Sequence, residues 1–241
     1  MNAVADKKIA LVTGGTSGVG LSLVKELVNS DFSVHFIGTN RKKGEAIESE
    51  LSGADGSKAK FIQLDLSNLK AVKAFADQFK SEVPRLDLLI NVAGVMLRDR
   101  QETAEGLEKT FAVNHLSAFV LSQELVPVLA KANQSRIVNV SGGESSVLKP
   151  RLDFENMDYK RNYSAMGVAV DAVHAKTVMT EILAEKLKDQ NITVNAFDPG
   201  AVKSRIASRP RVSRSRINSR SSLSETVRVA SMRESIVSAR H

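Results

Sequence analysis

Cysteine is missing from all 241 residues, which removes disulfide staples and thiolate metal sites and fits a reducing compartment. Histidine is scarce, with four residues scattered along the chain, so no zinc centre is expected. No apolar run approaches the roughly 20 residues of a membrane-crossing helix. Met1 to Lys8 is short and polar and leads straight into a strand-like run, so a cytoplasmic location is expected. What is present, 42% hydrophobic and 25% charged residues, suits one soluble domain with a buried core.

The formal charge of +7 is not spread evenly. Residues 1–204 hold 25 basic and 25 acidic side chains, whereas 205–241 hold nine Arg against Glu225 and Glu234. Lys disappears after Lys203, while Arg rises from seven in the first 204 residues to nine in the remainder. That shift in composition divides the chain into a body, 1–204, and a basic Arg/Ser-rich tail, 205–241.

The body alternates two patterns. The β-branched runs Ile9–Thr13, Ser33–Gly38, Lys60–Leu64, Leu86–Asn91, Arg136–Ser141 and Ile192–Phe197 are too apolar to be half-exposed strands. Between them, Leu21–Asn29, Gly44–Leu51, Leu69–Lys80, Leu116–Ala130 and Ala175–Asp189 have helical spacing. Strand and helix alternating in this way predict right-handed crossovers and an α/β domain: a Rossmann-type, doubly wound parallel sheet in three layers, αβα. A ligand is expected at the carboxyl ends of the strands.

The first such end reads Thr13-Gly14-Gly15-Thr16-Ser17-Gly18-Val19-Gly20. Glycines there allow a tight turn and close backbone approach, so that a helix N-terminus can hold a pyrophosphate on free N–H groups. A plain turn is the competing reading; the strand–loop–helix setting favours a nucleotide. The spacing of Gly14, Gly18 and Gly20 resembles the short-chain dehydrogenase/reductase fingerprint, and further motifs of that family follow in order. Asp65-Leu66 resembles the adenine-contacting pair, and Asn91-Val92-Ala93-Gly94 the family's Asn-Asn-Ala-Gly turn. Val113-Asn114-His115-Leu116 resembles the helix carrying the active-site Asn, and Pro199-Gly200-Ala201-Val202-Lys203-Ser204 the segment contacting the nicotinamide carboxamide. The likeness spans about residues 7–204, and Leu152-Asp153-Phe154 with Tyr163-Ser164 is most similar to the retinol-dehydrogenase and WW-domain-oxidoreductase branch.

Such a resemblance implies a nicotinamide dinucleotide bound by Gly14, Thr16, Ser17, Gly18, Val19, Gly20, Asn40, Arg41, Asp65, Leu66, Asn91, Ala93, Gly94, Pro199, Gly200, Val202 and Ser204. NADP is expected over NAD, because Thr39-Asn40-Arg41-Lys42-Lys43 follows the second strand where an acidic residue would accept the NAD ribose. Arg41 is the expected 2′-phosphate partner; a basic helix start on a solvated face is the plainer alternative.

Chemistry in the family implies a Tyr as proton donor or acceptor, a Lys that lowers its pKa and holds the ribose, a Ser that orients the substrate oxygen, and an Asn. Counting back from Asn191-Ile192-Thr193-Val194-Asn195 and forward from Tyr163-Ser164 puts Ala169 at the Tyr position and Val173 at the Lys position. Gly142, after Ser141, stands at the Ser position, so Asn114 alone of the four is retained. Tyr163, His174 and Lys176 are candidate substitutes; their ordinary readings are a packing aromatic, a half-buried His and a solvated Lys. Ala169 and Val173 also make this wall apolar, which suits a hydrophobic ligand.

Arg205–Arg220 cannot bury a core, so the tail is expected to be disordered and the family's last strand missing, with Ile192–Phe197 an exposed edge or a site of homo-oligomer pairing. A tail translated in an altered frame would also explain the Lys-to-Arg switch. Nucleic acid is an unfavoured partner, since the tail has Arg but no aromatic residue to stack bases. Three readings follow: an NADP-dependent alcohol or carbonyl oxidoreductase, a catalytically impaired relative acting as a nucleotide- or apolar-ligand-binding scaffold or sensor, and a nucleic-acid binder.

Overall fold

Six β-branched runs form strands: β1 Ile9–Val12, β2 Ser33–Gly38, β3 Ala59–Gln63, β4 Leu88–Asn91, β5 Ser135–Val140 and β6 Ile192–Phe197. The computed structural model describes residues 7–52, 58–141 and 152–199. All its strand pairs are parallel, in the order β3-β2-β1-β4-β5-β6. The order reverses between β1 and β4, which opens a crevice at their carboxyl ends.

Side chains alternate across the sheet and so feed two core layers. Leu11, Ile37, Leu89 and Ile137 pack with α3 (Leu69–Glu82), α5 (Ser117–Glu124) and α7 (Ala165–Leu187) on one face. Ala10, Val12, Phe36, Ile90 and Val138 pack with α1 (Gly18–Asn29) and α2 (Arg41–Leu51) on the other. Strands covered on both faces explain why these runs are apolar rather than alternating. Asn40 and Asn68 fix the starts of α2 and α3 by accepting from the backbone N–H of Lys43 and Ala71, each at 2.9 Å.

Two helices differ most from the sequence reading. The helix expected over Leu116–Ala130 is instead a broken series: α4 Lys109–Phe111, a π-turn Ala112–Leu116, α5, and α6 Val126–Leu129, which starts afresh with Pro127 in its first turn. The one expected from Ala175 begins at Ala165, where the Ser164 hydroxyl accepts from Gly167 N–H. Ile192 and Val194 of β6 are buried against α7, while Thr193 and Asn195 on the opposite face are exposed. Among the described residues β6 is one edge of the sheet, opposite β3; the expected tail at 205–241 lies outside them. Among them, too, no helix is long and apolar enough to cross a membrane.

His35 on β2 stands edge-on to Phe79 at 5.2 Å, and burial, with Lys60 beside it, lowers its pKa to about 4. Burial and the charge of Lys176 lower His115 to about 4 as well. The unfolded chain therefore binds protons at these sites from pH 6.5 downward that the folded chain refuses until about pH 4. Their stabilising contribution is complete above pH 6.5 and is lost as pH falls toward 4, at about 1.4 kcal/mol per unit for each group. Melts of the wild type and His35→Gln between pH 7.5 and 4.5 are expected to show a shallower acid loss in the variant; parallel losses would contradict this.

Candidate functional site

The crevice is built where the β1 and β4 carboxyl ends meet. Thr13 ends β1 with its backbone N–H on Ile90 O at 2.9 Å, and its hydroxyl accepts from Val92 and Ala93 N–H at 3.0 and 3.1 Å. Gly14 follows at φ 66°, where a Cβ would stand 2.9 Å from Ala93 Cα. The glycine loop and the Asn91–Gly94 turn thus touch, and a side chain at 14 would separate them.

The loop then delivers an open helix end. A Cβ on Gly20 would lie 2.3 Å from Gly14 O, so only glycine lets the loop fold back on the first turn of α1. Gly18, at φ 51°, faces open space with nothing within 4 Å. Ser17 makes no side-chain cap and the first turn holds no acid. Backbone N–H groups at the positive end of a 12-residue helix therefore face the crevice. This cradle fits an anionic group such as a pyrophosphate.

The other predicted contacts divide. Arg41 is exposed at the start of α2, but its Nε donates to Glu45 Oε1 at 2.7 Å. The acidic residue absent from positions 39–43 is present one helical turn later. The Asn40 amide oxygen caps α2, and exposed Asp65 turns its Oδ1 to Ser67 N–H at 2.9 Å. Leu66 is in the core. Asn91 is buried, donating to Ser122 Oγ at 3.1 Å and Asn139 Oδ1 at 2.9 Å, and Asn139 donates in turn to Thr180 Oγ1 at 2.9 Å. Its amide nitrogen knits β4 to β5 and α5, and through Asn139 to α7, while its Oδ1 has no hydrogen-bond partner among the described residues. Gly142, Gly200, Val202 and Ser204 lie outside the described residues; Pro199 is half-buried just past β6.

Asn114 lies in the π-turn, and both ends of its amide are used: Nδ2 donates to Val95 O at 2.9 Å and Oδ1 accepts from Val95 N–H at 2.8 Å. A π-turn shifts the backbone register and marks a specialised position. Here it clamps the segment after β4.

α7 carries the positions where proton transfer would be expected. Ala169 and Val173 are half-buried, four residues apart and therefore on one face. Ser141 Oγ lies 3.0 Å from Thr177 Oγ1 and 3.3 Å from Val173 O, lashing this face to the end of β5. Neither Ala nor Val can exchange a proton.

Of the three candidate substitutes, Tyr163 keeps its ordinary reading and His174 and Lys176 depart from theirs. Tyr163 is the packing aromatic expected, with its hydroxyl donating to Leu97 O at 2.7 Å and its pKa raised by burial and by Glu108. The chain's other tyrosine, Tyr159, donates to Asp171 Oδ2 at 3.3 Å and is also raised, by burial and the Asp171 charge. His174 is exposed rather than half-buried. Lys176 is the largest departure: 4% exposed instead of solvated, with Nζ on Val140 O at 3.2 Å. A cavity of about 690 Å³ beside Asn156, Tyr159, Ser164, Gly167 and Asp171 lies around the start of α7.

The Thr13 hydroxyl bridge, the Arg41–Glu45 pair and the burial of Lys176 escaped the sequence reading. Only the second had a visible signal, opposite charges four residues apart on a helix.

Comparison with known proteins places this geometry. The short chain dehydrogenase family model matches residues 8–213, and the chain belongs to that family. It is 34% identical over 200 residues to retinol dehydrogenase 11 of Homo sapiens, covering 83% of this chain and 62% of that protein. It is 38% identical over 144 residues to dehydrogenase/reductase SDR family member 12 of Bos taurus, covering 59% of this chain and 45% of that one. The chain thus spans about three-fifths of the retinol dehydrogenases beside which it stands. Among solved structures, RhlG of Pseudomonas aeruginosa, in a complex with NADP, superposes with a TM-score of 0.65 at 25% identity over 85% of this chain and 75% of its own. A metagenomic short-chain oxidoreductase in complex with NADP shares the fold, with a TM-score of 0.65 at 24% identity, over 82% and 84% of the two chains.

Proposed function

We propose that this chain binds NADPH in the crevice between the β1 and β4 ends and turns over alcohols or carbonyls weakly or not at all. The observation that carries the reading is the contrast along one ligand path. The phosphate cradle of Gly14, Gly18 and Gly20 is open, while the α7 face that would act on a substrate presents Ala169 and Val173. A bound nicotinamide would supply hydride transfer. The loop N–H groups would hold its pyrophosphate, and the segment Asn91–Gly94 would lie against it.

No tyrosine of this chain is primed to move a proton, since both have raised pKa values and donate to protein acceptors. The apolar wall at Ala169 and Val173 supports an apolar ligand there. Retinal is therefore a rational member of a test panel, given the relatives named retinol dehydrogenases.

The NADPH preference rests on Arg41. Its pair with Glu45 is fully exposed, and such pairs are worth little, so exchanging the carboxylate for a 2′-phosphate costs little. NADPH is expected to bind about tenfold tighter than NADH at low salt, with Arg41→Ala erasing most of the difference and leaving NADH binding unchanged. Fluorescence titration with both cofactors checks this. Equal affinity in the wild type would show that Arg41 does not read the phosphate.

A further inference from the structure

Lys176 is buried in the body of α7, but its ammonium reaches the end of β5. A helical side chain leans toward the N-terminus of its helix, so Nζ lies over the turn that contains Val173. There it meets the carbonyl of Val140, the last residue of β5, at 3.2 Å. The Ser141 contacts to Val173 and Thr177 hold this junction in register. The crevice opens at the carboxyl ends of β1 and β4, and β5 is the neighbour of β4, so this amine lies under the end of the adjoining strand.

Its chemistry there is incomplete. An ammonium has three N–H donors, and among the described residues one is used. Lys176 forms no ion pair among the described residues. Among the described residues the neighbouring elements offer it no counter-charge. On the π-turn, His115 is neutral above pH 6.5 and is itself pushed down by the Lys176 charge. Glu108 before α4 caps Phe111 N–H, and Glu124 of α5 is held by Lys73 and Lys80. Arg136 sits toward the opposite end of β5, and Asp198 is exposed beyond β6. On α7 itself, Asp171 accepts from Tyr159 and His174 is exposed. A cation buried without a counter-charge is costly, which shifts the balance toward the neutral amine.

We propose that Lys176 is a ligand-coupled cation: dinucleotide bound in the crevice supplies the negative field and hydroxyl acceptors that this amine lacks, so binding draws a proton onto it. The inference rests on the nucleotide-binding reading above. It makes the occupied site a proton-binding state, and alkaline pH releases the ligand. Burial alone lowers the Lys176 pKa to about 8, within reach of such a coupling. Both tyrosines are shifted upward and both buried histidines to about 4, so none of these titrates in the same range.

The test is calorimetric titration of the full chain with NADPH at pH 8.5, in two buffers of different ionisation enthalpy, followed by dissociation constants from pH 7.5 to 9.5. A phosphate monoester titrates near 6, so the ligand contributes little proton exchange in this window. The wild type is expected to take up about half to one proton per site, and its dissociation constant to rise by up to about tenfold per pH unit at the alkaline end. Lys176→Arg, whose charge is permanent, should bind without uptake and without this pH dependence. Lys176→Met, of similar length and apolar, should also bind without uptake, but more weakly at pH 7.5. Zero uptake in the wild type overturns the proposal without recourse to any variant, as does equal uptake in wild type and Lys176→Met. Absence of any binding heat at pH 7.5 is a separate result, which fells the nucleotide-binding reading and this inference with it.

Discussion

Given NADPH and a panel of carbonyls, the purified chain is expected to turn over at least about 10²–10⁴-fold more slowly than a family member with its proton-transfer groups in place, the range that general acid–base catalysis contributes. The reason is local. Hydride delivery to a carbonyl needs a proton at the oxygen, and the helix face where it would come from carries Ala169 and Val173. Tyr163 cannot step in, because its hydroxyl is committed to Leu97 O and burial moves its pKa away from neutrality. Lys176 lies on the same side of α7 but is folded into the wall with its ammonium on Val140 O. Steady-state assays across the panel check the expectation. Brisk turnover that survives Tyr163→Phe, His174→Ala and Lys176→Met together would contradict it. In the constructive direction, Gly142→Ser with Ala169→Tyr and Val173→Lys should raise the rate, although larger side chains in a packed site commonly cost about 1–3 kcal/mol of stability.

The second large effect is expected at the loop. Gly18→Asp should weaken NADPH binding by at least about 100-fold, because a carboxylate would stand where the pyrophosphate is held and like charges at close range repel by several kcal/mol at intermediate dielectric. The fold should survive, since nothing lies within 4 Å of the new Cβ and Asp tolerates the left-handed backbone at φ 51° better than most residues. Gly20→Ala makes the contrast: its Cβ would strike Gly14 O at 2.3 Å, so stability and binding should fall together. Melting curves and cofactor titrations of the two variants separate these outcomes. Wild-type affinity in Gly18→Asp would mean that the loop is not the phosphate site.

The sheet could be read from the sequence because each strand is buried on both faces and so writes an unbroken apolar run. Ser33–Gly38 and Ile192–Phe197 coincide with β2 and β6, and the other strands shift by one or two residues at their ends. The phosphate loop was legible too, because its glycines answer steric demands, seen in the approaches of Gly14 to Ala93 and of Gly20 to Gly14. What escaped depends on tertiary contacts. A π-turn leaves no periodic signature, so the resemblance gives Val113–Leu116 as part of a helix without marking the π-turn at Ala112–Leu116. The resemblance assigns Asn91 and Asn114 to the site, but not their protein contacts, Asn91 Nδ2 to Ser122 and Asn139 and the Asn114 amide to Val95. Lys176 was read as solvated because Lys usually is. Its burial follows from α7 lying against β5 and β6, which spacing along one helix does not encode.

One cuvette tests the central claim most directly: NADPH fluorescence is followed as the chain is titrated in, and retinal is then added while the same signal is watched over time. A saturable change on titration, abolished by Gly18→Asp, followed by a flat trace after retinal, is the expected result. Failure of the signal to saturate, or a steady retinal-dependent loss of NADPH in proportion to the protein added, would contradict the account.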